Sequence, residues 1–391
     1  MPRVYFDNNA STPVDREVLE TMLPYFAENF GNASSIHSPG QQARKAVEHA
    51  REQVAALVGA RAAEITFTSG GTESDNLAIR GILFADERPQ KHIITTQIEH
   101  SAVLQTCRAL EERGVEVTYL PVNSDGLVDP ADVRKALRPE TVLITVMHAN
   151  NELGCVEPIE EIGRIAAEAD VYFHVDGVQS AGKIPINVEQ IGADLLAISA
   201  HKIYGPKGVG ALYIRKGTRL KPILFGGKDT RVHRPGTENV AGIVGLGKAA
   251  EIAQYKLQAE GARLSALRDR LEKGLLVAIP YARVNGAHAP RTPNTANLSF
   301  SFIEGESLVI ALDLKGLACS TGAACSSGAI EPSHVLTAIG LPAEQARGSM
   351  RFSLGRLNTD DDVDFALKAI SEAVQQLRKL SPQYKESVPA Q

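Results

Sequence analysis

Residues 171–202, VYFHVDGVQSAGKIPINVEQIGADLLAISAHK, decide the fold class of this chain. Two apolar runs, Val171–Val175 and Asp194–Ser199, stand at either end of a more polar segment. Short β-rich runs separated by helical segments are typical of parallel strands joined by helices. Asp176 follows the first run, and Lys202 stands three residues beyond the second. Both are polar side chains placed where a buried strand ends.

The same alternation extends outward from this stretch, from about Ala43 to about Ile252. Before it, residues 42–58 have the apolar spacing of a helix that buries one face. We predict an α/β large domain with a mostly parallel seven-stranded sheet covered by helices. The predicted strands cover residues 64–68, 92–95, 115–120, 141–147, 171–175, 194–199 and 210–214.

The pattern changes after about residue 258, where we place a domain boundary. We expect residues 13–258 to form the large domain. Residues 1–12 and 259–391 then form a smaller α+β domain. The predicted elements of this part are a polar helix over 251–276, strands over 297–302 and 349–354, and a helix over 360–380 that begins at the N-cap Thr359.

Composition excludes several classes of protein. The chain has 391 residues, with 43% hydrophobic residues, 22% charged residues and a formal net charge of -5. These values are typical of a soluble globular protein and give no basic surface for a nucleic acid. No apolar run reaches the roughly 18 residues of a membrane span, and the start lacks a signal-peptide core. We expect a cytoplasmic protein with no nucleic-acid or membrane partner.

The four cysteines do not suggest a disulfide framework or a metal site. We expect Cys107, Cys155 and Cys319 to be structural, because a cytosolic cysteine is by default a small buried side chain. Cys325 differs, since the small residues of Ala318–Gly328 cannot pack a core. A cysteine on such a loop suits a nucleophile, and the alternative is an incidental loop cysteine.

Three strand ends together indicate a cofactor. The turn Ser69–Thr72 leads into a helix and provides free N–H groups for a phosphate, unless it is a plain tight turn. Asp176 suits a cationic ring nitrogen, although it could simply cap the next turn. Lys202, with Ser199 and His201 beside it, suits an amine that attacks an aldehyde, although a loop lysine is usually a solvated cation. The combination predicts bound pyridoxal 5'-phosphate.

These residues, in this order, closely resemble the cysteine desulfurases of the NifS/IscS type, which are aminotransferase-like enzymes of pyridoxal-phosphate fold type I. The resemblance extends from Tyr5 to about Ser381. Its motifs are YFDN (5–8), GNASS (31–35), TSGGTESDN (68–76), EH (99–100), HANNE (148–152), DGVQ (176–179), SAHK (199–202), Cys325, EPSHVL (331–336) and RFSLGR (351–356).

The resemblance implies roles for the residues around the cofactor ring. Lys202 is expected to carry the cofactor as a Schiff base and then to act as the base. Asp176 should pair with the ring nitrogen, Gln179 should bond the ring oxygen, and His100 should lie over the ring face. Cys325 should receive the sulfur of L-cysteine as a persulfide, on a loop of the longer, mobile type.

The resemblance also implies how the two ends of the site are built. Asn151 and Arg351 are expected to bind the substrate carboxylate, and Asn151 also contacts the cofactor. Thr237 is expected to reach the site of the neighbouring subunit in a homodimer. The phosphate is then held by Gly71, Thr72, Ser199, His201 and Thr237 of the partner subunit.

One stretch departs from the family pattern. Where the family usually has Gly-Gly-Gly-(Gln or His)-Glu-Arg-Gly-x-Arg-Ser-Gly-Thr, residues 226–237 are GGKDTRVHRPGT. Lys228, Asp229, Thr230 and Val232 do not match. We expect the change to affect turnover rate and the choice of sulfur acceptor more than the chemistry.

The resemblance implies conversion of L-cysteine to L-alanine, with sulfur passed to an acceptor or iron–sulfur scaffold protein. Selenocysteine lyase and aminotransferase activities remain alternatives on the same pocket, because a fold does not determine a reaction. A non-catalytic subunit that holds the cofactor is a third hypothesis, and the altered loop is its only support.

Overall fold

A seven-stranded sheet carries most of the residues singled out above. The computed structural model describes residues 4–226, 233–321, 332–382 and 384. Cys325 and the atypical residues Lys228–Val232 lie outside this range. The strands of the sheet are β2 (Ile65–Thr68), β3 (His92–Thr96), β4 (Glu116–Leu120), β5 (Thr141–Met147), β6 (Tyr172–Asp176), β7 (Leu195–Ser199) and β8 (Gly210–Ile214).

The order of these strands confirms the prediction of a mostly parallel sheet. It is β2-β8-β7-β6-β5-β3-β4, and only β8 runs antiparallel to its two neighbours. Every residue of β5, β7 and β8 is buried. This is expected for a sheet with helices on both faces.

Successive residues of each strand pack on opposite faces of the sheet. Ile144 and Phe173 belong to a core with helices α3 (Ser38–Val58) and α9 (Val240–Ala278). Leu143 and Leu195 belong to a core with helices α4 (Gly71–Ala85) and α5 (Ser101–Glu111). The helices of the described chain are α1 (Arg16–Met22), α2 (Pro24–Ala27), α3 (Ser38–Val58), α4 (Gly71–Ala85), α5 (Ser101–Glu111), α6 (Pro130–Ala136), α7 (Ile159–Glu168), α8 (Val188–Ile191), α9 (Val240–Ala278), α10 (Gly305–Lys315), α11 (His334–Ala338), α12 (Ala343–Arg347) and α13 (Asp360–Leu380).

The C-terminal part is built on an antiparallel sheet. Its order is β12-β13-β10-β9, formed by β9 (Ala282–Val284), β10 (Thr295–Phe300), β12 (Ser320–Thr321) and β13 (Ser349–Ser353). The N-terminal strand β1 (Val4–Tyr5) pairs in parallel with β11 (Leu317–Ala318). Val4 and Phe6 therefore enter the apolar core of this part, together with residues of α9, α10 and α13.

Helix α9 crosses the proposed domain boundary without a break. Its apolar residues up to Ala253 pack in the core of the large sheet, and those from Leu264 onward pack in the C-terminal core. The division at residue 258 stays a prediction, and this change of packing supports it. Within the described residues, no helix has the length and apolar character needed to cross a bilayer.

Several element boundaries were predicted wrongly, including the start of α3, which lies at Ser38 rather than residue 42. Helix α9 begins at Val240 rather than Glu251, because its first turns are rich in glycine and alanine and buried, so they lack a polar face to mark them. Strand β10 ends at Phe300 rather than at Phe302, whose φ of 70° lies outside the extended region. The N-cap Thr359 is confirmed, since its side chain accepts from the Asp362 N–H.

Candidate active site

The carboxyl ends of the parallel strands face a cavity with a volume of about 190 Å³. Strands β5, β6 and β7 end at Met147, Asp176 and Ser199, and a short 3-10 turn after β7 presents Lys202. Ligands of open α/β sheets bind at this edge. The lining residues are Gly71, Thr72, Asp75, His100, Met147, Asn151, Asp176, Val178, Gln179, Ser199, His201 and Lys202.

The phosphate end of the cavity is formed by the start of α4. Gly70 has a φ of 150° and provides no side-chain cap, so the first N–H groups of the helix remain free for an anion. A Cβ at Gly71 would lie 2.7 Å from Val178 Cγ2, so only glycine fits there. Thr72, Ser199 and His201 add side-chain donors around the same opening. These groups fit a phosphate.

Asp176 provides a buried carboxylate at the other end of the cavity. It is 5% exposed, and its Oδ1 accepts from the Val178 N–H at 3.0 Å. Burial raises the pKa of Asp176, and the neighbouring His100 and Lys202 oppose that rise. A buried carboxylate with spare acceptor capacity fits a protonated ring nitrogen. The cavity therefore has the hydrogen-bond donors that the phosphate of pyridoxal phosphate needs and the acceptor that its protonated ring nitrogen needs.

Lys202 lines the cavity with its side-chain amine. Its Nζ donates to the main-chain carbonyls of Asn9 at 2.6 Å and Ala10 at 2.9 Å. Burial and the nearby Arg351 guanidinium lower the pKa of Lys202 to about 8. Near neutral pH, a larger fraction of this amine is therefore unprotonated and nucleophilic than of an ordinary lysine.

His100 lies at the mouth of the cavity and caps helix α5. Its Nδ1 accepts from the Ala102 N–H at 3.1 Å, so the proton of the neutral ring lies on Nε2. The residue is exposed, which does not fit the alternative of a buried core histidine. The Nε2–H group is thus available to a ligand.

Arg351 lies on β13, beside the cavity rather than on its lining. Its Nη2 is 2.8 Å from Asp7 Oδ1, and its Nη1 donates to the main-chain carbonyl of Asn151 at 3.2 Å. The Nε of Arg351 is buried and has no hydrogen-bond partner among the described residues. An unused guanidinium donor next to Asn151 fits a substrate carboxylate.

Most of the predicted site residues lie within the described part of the chain, and the structure shows where they stand relative to the cavity. Those on or next to the sheet edge surround one cavity, and their individual roles stay predictions. Thr237 is exposed and does not line the cavity of its own chain, as a residue that serves a second subunit requires. Cys325 lies outside the described residues. Cys107, Cys155 and Cys319 are buried, as predicted.

Sequence reasoning missed several residues behind the cavity. Asp75 lines it and is 1% exposed, and burial and Asp176 raise its pKa well above the usual range. Asn9 and Lys183 contact the side chains that line it. Lys183 follows Gln179 by four residues, and this spacing indicates that the two side chains share one helical face. Asp75 stands within the family motif TSGGTESDN and Asn9 directly follows the motif YFDN, but no other feature of the sequence pointed to either residue.

A comparison with known families identifies the chain. The model of the class-V aminotransferase family matches residues 4–365. The chain belongs to this family. It is 54% identical to the cysteine desulfurase IscS of Methanosarcina thermophila, over 97% of this chain and 94% of that protein.

Solved structures agree with this assignment. A NifS-like protein superposes with a TM-score of 0.89 at 40% identity, covering 96% of this chain and 100% of that one. SspA, solved in complex with cysteine, gives a TM-score of 0.80 at 40% identity, over 90% and 98% of the two chains. The predicted resemblance to cysteine desulfurases is therefore confirmed, as are the α/β fold class and the dependence on pyridoxal phosphate.

Proposed function

We propose that this cysteine desulfurase converts L-cysteine to L-alanine through Lys202, His100, Arg351 and Cys325, and leaves the sulfur as a persulfide on Cys325. The observation that carries the proposal is the cavity itself. One opening combines a phosphate cradle, a buried carboxylate and an amine whose pKa is lowered to about 8. When bound, pyridoxal phosphate supplies the electron sink for carbanion chemistry at the substrate Cα.

Substrate binding is assigned to the side of the cavity that faces the C-terminal part. The buried Arg351 Nε and the remaining guanidinium N–H groups hold the substrate carboxylate, next to Asn151. Carboxylate binding at this point directs the substrate amine and Cα toward Lys202, which removes the Cα proton as an unprotonated amine. The His100 Nε2–H donates to the substrate sulfur and stabilises it as a thiolate.

Cys325 is proposed as the sulfur acceptor because both neighbouring described segments lie beside the site. On one side, Ser320 pairs with Arg351 across β12 and β13. On the other, His334 Nε2 lies 3.0 Å from the main-chain carbonyl of Glu99, the residue before His100. Cys325 follows Thr321 by four residues, a reach of about 14 Å at most.

Sulfur transfer to Cys325 forms one S–S bond and breaks one C–S bond. The Cys325 thiolate uses an electron pair to form a bond to the substrate sulfur, and the C–S bond breaks. The bonding pair stays with carbon, which becomes the methyl group of alanine by taking up, through solvent, the proton that the Cys325 thiol lost on ionising. Lys202 returns to Cα the proton that it removed. A Cys325 persulfide remains, and an acceptor thiol removes its outer sulfur. We propose that this thiol belongs to an iron–sulfur scaffold protein.

We further propose that the enzyme is a cytoplasmic homodimer. The free cysteines Cys107, Cys155 and Cys319 suit a reducing compartment. Several large apolar side chains of the described residues are exposed, among them Phe30 at 75%, Ile36 at 88% and Phe225 at 89%. Such exposure is unusual for a monomer and supports contact with a second copy that also receives Thr237.

The experiment measures alanine and sulfide release from L-cysteine with a reductant present. Cys325→Ala should retain bound cofactor and lose sulfur transfer, whereas Cys319→Ala, the matched control six residues earlier, should retain it. Persulfide on the protein after Cys325→Ala would refute the assignment of Cys325. Cysteine-dependent transamination that survives this change would favour an aminotransferase, and light scattering that gives a monomer would refute the dimer.

A further inference from the structure

Asn9 lies behind the cavity at the junction of the two parts of the chain and is 2% exposed. Its main-chain carbonyl accepts from Lys202 Nζ at 2.6 Å and from Gln179 Nε2 at 3.1 Å. Its side chain donates to the Asn151 carbonyl and the Thr295 hydroxyl. Asn9 therefore contacts the Lys202 amine, the Gln179 amide and Asn151, which is proposed to bind the substrate carboxylate.

The contacts of Gln179 determine the orientation of its amide. The main-chain carbonyl of Asn9 only accepts hydrogen bonds, so the end of the amide that faces it must be the NH₂ group. The other end, Oε1, then needs a donor, and Lys183 Nζ lies 2.7 Å away. Nε2 has two hydrogens and Asn9 uses one. The second remains for a ligand in the cavity that Gln179 lines.

Lys183 has no ion-pair partner among the described residues. Its two acceptors are amide oxygens, Gln179 Oε1 at 2.7 Å and Asn9 Oδ1 at 2.9 Å. Burial lowers the pKa of Lys183 well below its usual range, and the nearby Lys202 and Arg351 lower it further. An amine in this environment acts through the hydrogen bonds that it donates rather than through a permanent charge.

We propose that Lys183 is a positioning residue of the desulfurase reaction: together with the Asn9 carbonyl, it holds the Gln179 amide with a free N–H directed to the oxygen of the cofactor ring. This inference rests on the proposed role of Gln179 as the donor to that oxygen. Lys183 lies four residues after Gln179 and does not line the cavity that holds the other site residues. It contacts the lining of that cavity through the Gln179 amide.

The consequence is measurable in the bound cofactor. A donated hydrogen bond stabilises the ring oxygen as an anion and so lowers the pH at which the Lys202–cofactor linkage loses its proton. Removing the Lys183 donor lets the amide rotate and weakens that bond. The pH midpoint of the cofactor absorbance should then rise. The other charged or titratable groups that face this linkage are unchanged by the substitution, namely Asp7, His100, Asp176, His201 and Arg351.

The test compares holoenzymes of wild type, Lys183→Met, Gln179→Leu and the double variant. Lys207→Met is the matched control, because Lys207 is a lysine near His201 that is exposed to solvent. Lys183→Met should raise the midpoint by about 0.5 to 1 pH unit, the size of one hydrogen bond. It should lower kcat by about 3- to 10-fold with little change in KM for L-cysteine. Lys207→Met should move neither value.

The double variant separates positioning from a general structural role. With Gln179 replaced by Leu, Lys183→Met should cause no further shift of the midpoint. A further shift as large as in wild type would overturn the inference, as would a Lys183→Met enzyme that matches Lys207→Met. An unchanged midpoint in Gln179→Leu alone would instead refute the proposed role of Gln179. If Lys183→Met does not fold, Lys183→Gln takes its place in the same assays.

Discussion

Two regions of this molecule meet at the active site and hold their side chains in different ways. The sheet edge presents Asp176 and Ser199 as the last residues of β6 and β7, which are hydrogen-bonded on both sides, and Lys202 in the turn that follows β7. The second region, which we call the bridging contacts, consists of the pairs Asp7–Arg351, Asn9–Thr295 and Glu152–Ser333. Their partners are 344, 286 and 181 residues apart in sequence.

The difference indicates that the two regions serve different steps of the reaction. Strands packed on both faces fix their end residues rigidly, so the sheet edge suits the cofactor and the proton transfer. The bridging contacts are single polar pairs between separate segments of the chain. Through Arg351, Asn9 and Ser333 they also reach Asn151 and Glu152 of the large domain. They suit substrate binding, which requires the two parts to come together. Substitutions in the two regions should therefore affect different kinetic constants.

The largest effect is expected at the sheet edge, from Lys202→Ala. We expect alanine release to fall by about 10³-fold or more, because no other amine lines the cavity of the described chain. The exposed Lys207→Ala is the matched control and should keep normal activity. Retention of more than a tenth of the wild-type rate by Lys202→Ala would show that Lys202 is not the base.

A smaller effect, on substrate binding, is expected in the bridging contacts. Arg351→Gln should raise KM for L-cysteine by about 10- to 100-fold, because it removes a bidentate partner of the carboxylate. Asp7→Asn should raise KM by only a few-fold, since Arg351 Nη1 still donates to the Asn151 carbonyl. Steady-state kinetics measure both, with the exposed Arg347→Gln as the control. A fall in kcat with unchanged KM in Arg351→Gln would contradict the assignment of the bridging contacts to substrate binding.

The smallest effect is expected in the pH dependence of the free energy of unfolding, and it arises at the pair Glu152–Ser333. Ser333 Oγ donates to Glu152 Oε2 at 2.6 Å, and burial raises the pKa of Glu152 to about 7. The folded state then binds more protons than the unfolded state between about pH 4.5 and 7, so this group makes the free energy of unfolding fall as pH rises through that range.

Glu152→Gln should remove this dependence, which amounts to about 3 kcal/mol for a pKa raised from 4.5 to about 7. Urea unfolding at several pH values measures it, and the exposed Glu87→Gln is the control. A slope between pH 4.5 and 7 that is equal in wild type and Glu152→Gln would show that Glu152 is not protonated in the folded chain.

The sheet-edge residues were predictable because each follows an apolar run whose length and composition indicate a buried strand. Asp176 and Lys202 were identified in this way before any resemblance was considered. The start of α9 at Val240 was not predictable, since helices that are buried and rich in small residues lack the periodic polar face on which such predictions depend. Nor was the end of β10 at Phe300, where the next turns are set by packing.

By itself, the sequence determined the α/β class, the parallel sheet, the cofactor and the order of the residues at its edge, because apolar periodicity and strand-end chemistry are local properties of the chain. Only the tertiary structure decided that Asn9 and Lys183 orient Gln179, and that Asp7 pairs with Arg351. The Gln179–Asn9 and Lys183–Asn9 contacts join residues 170 and 174 positions apart. Hydrogen bonds depend on the final positions of both partners to within a few tenths of an ångström, and local sequence patterns do not contain those positions.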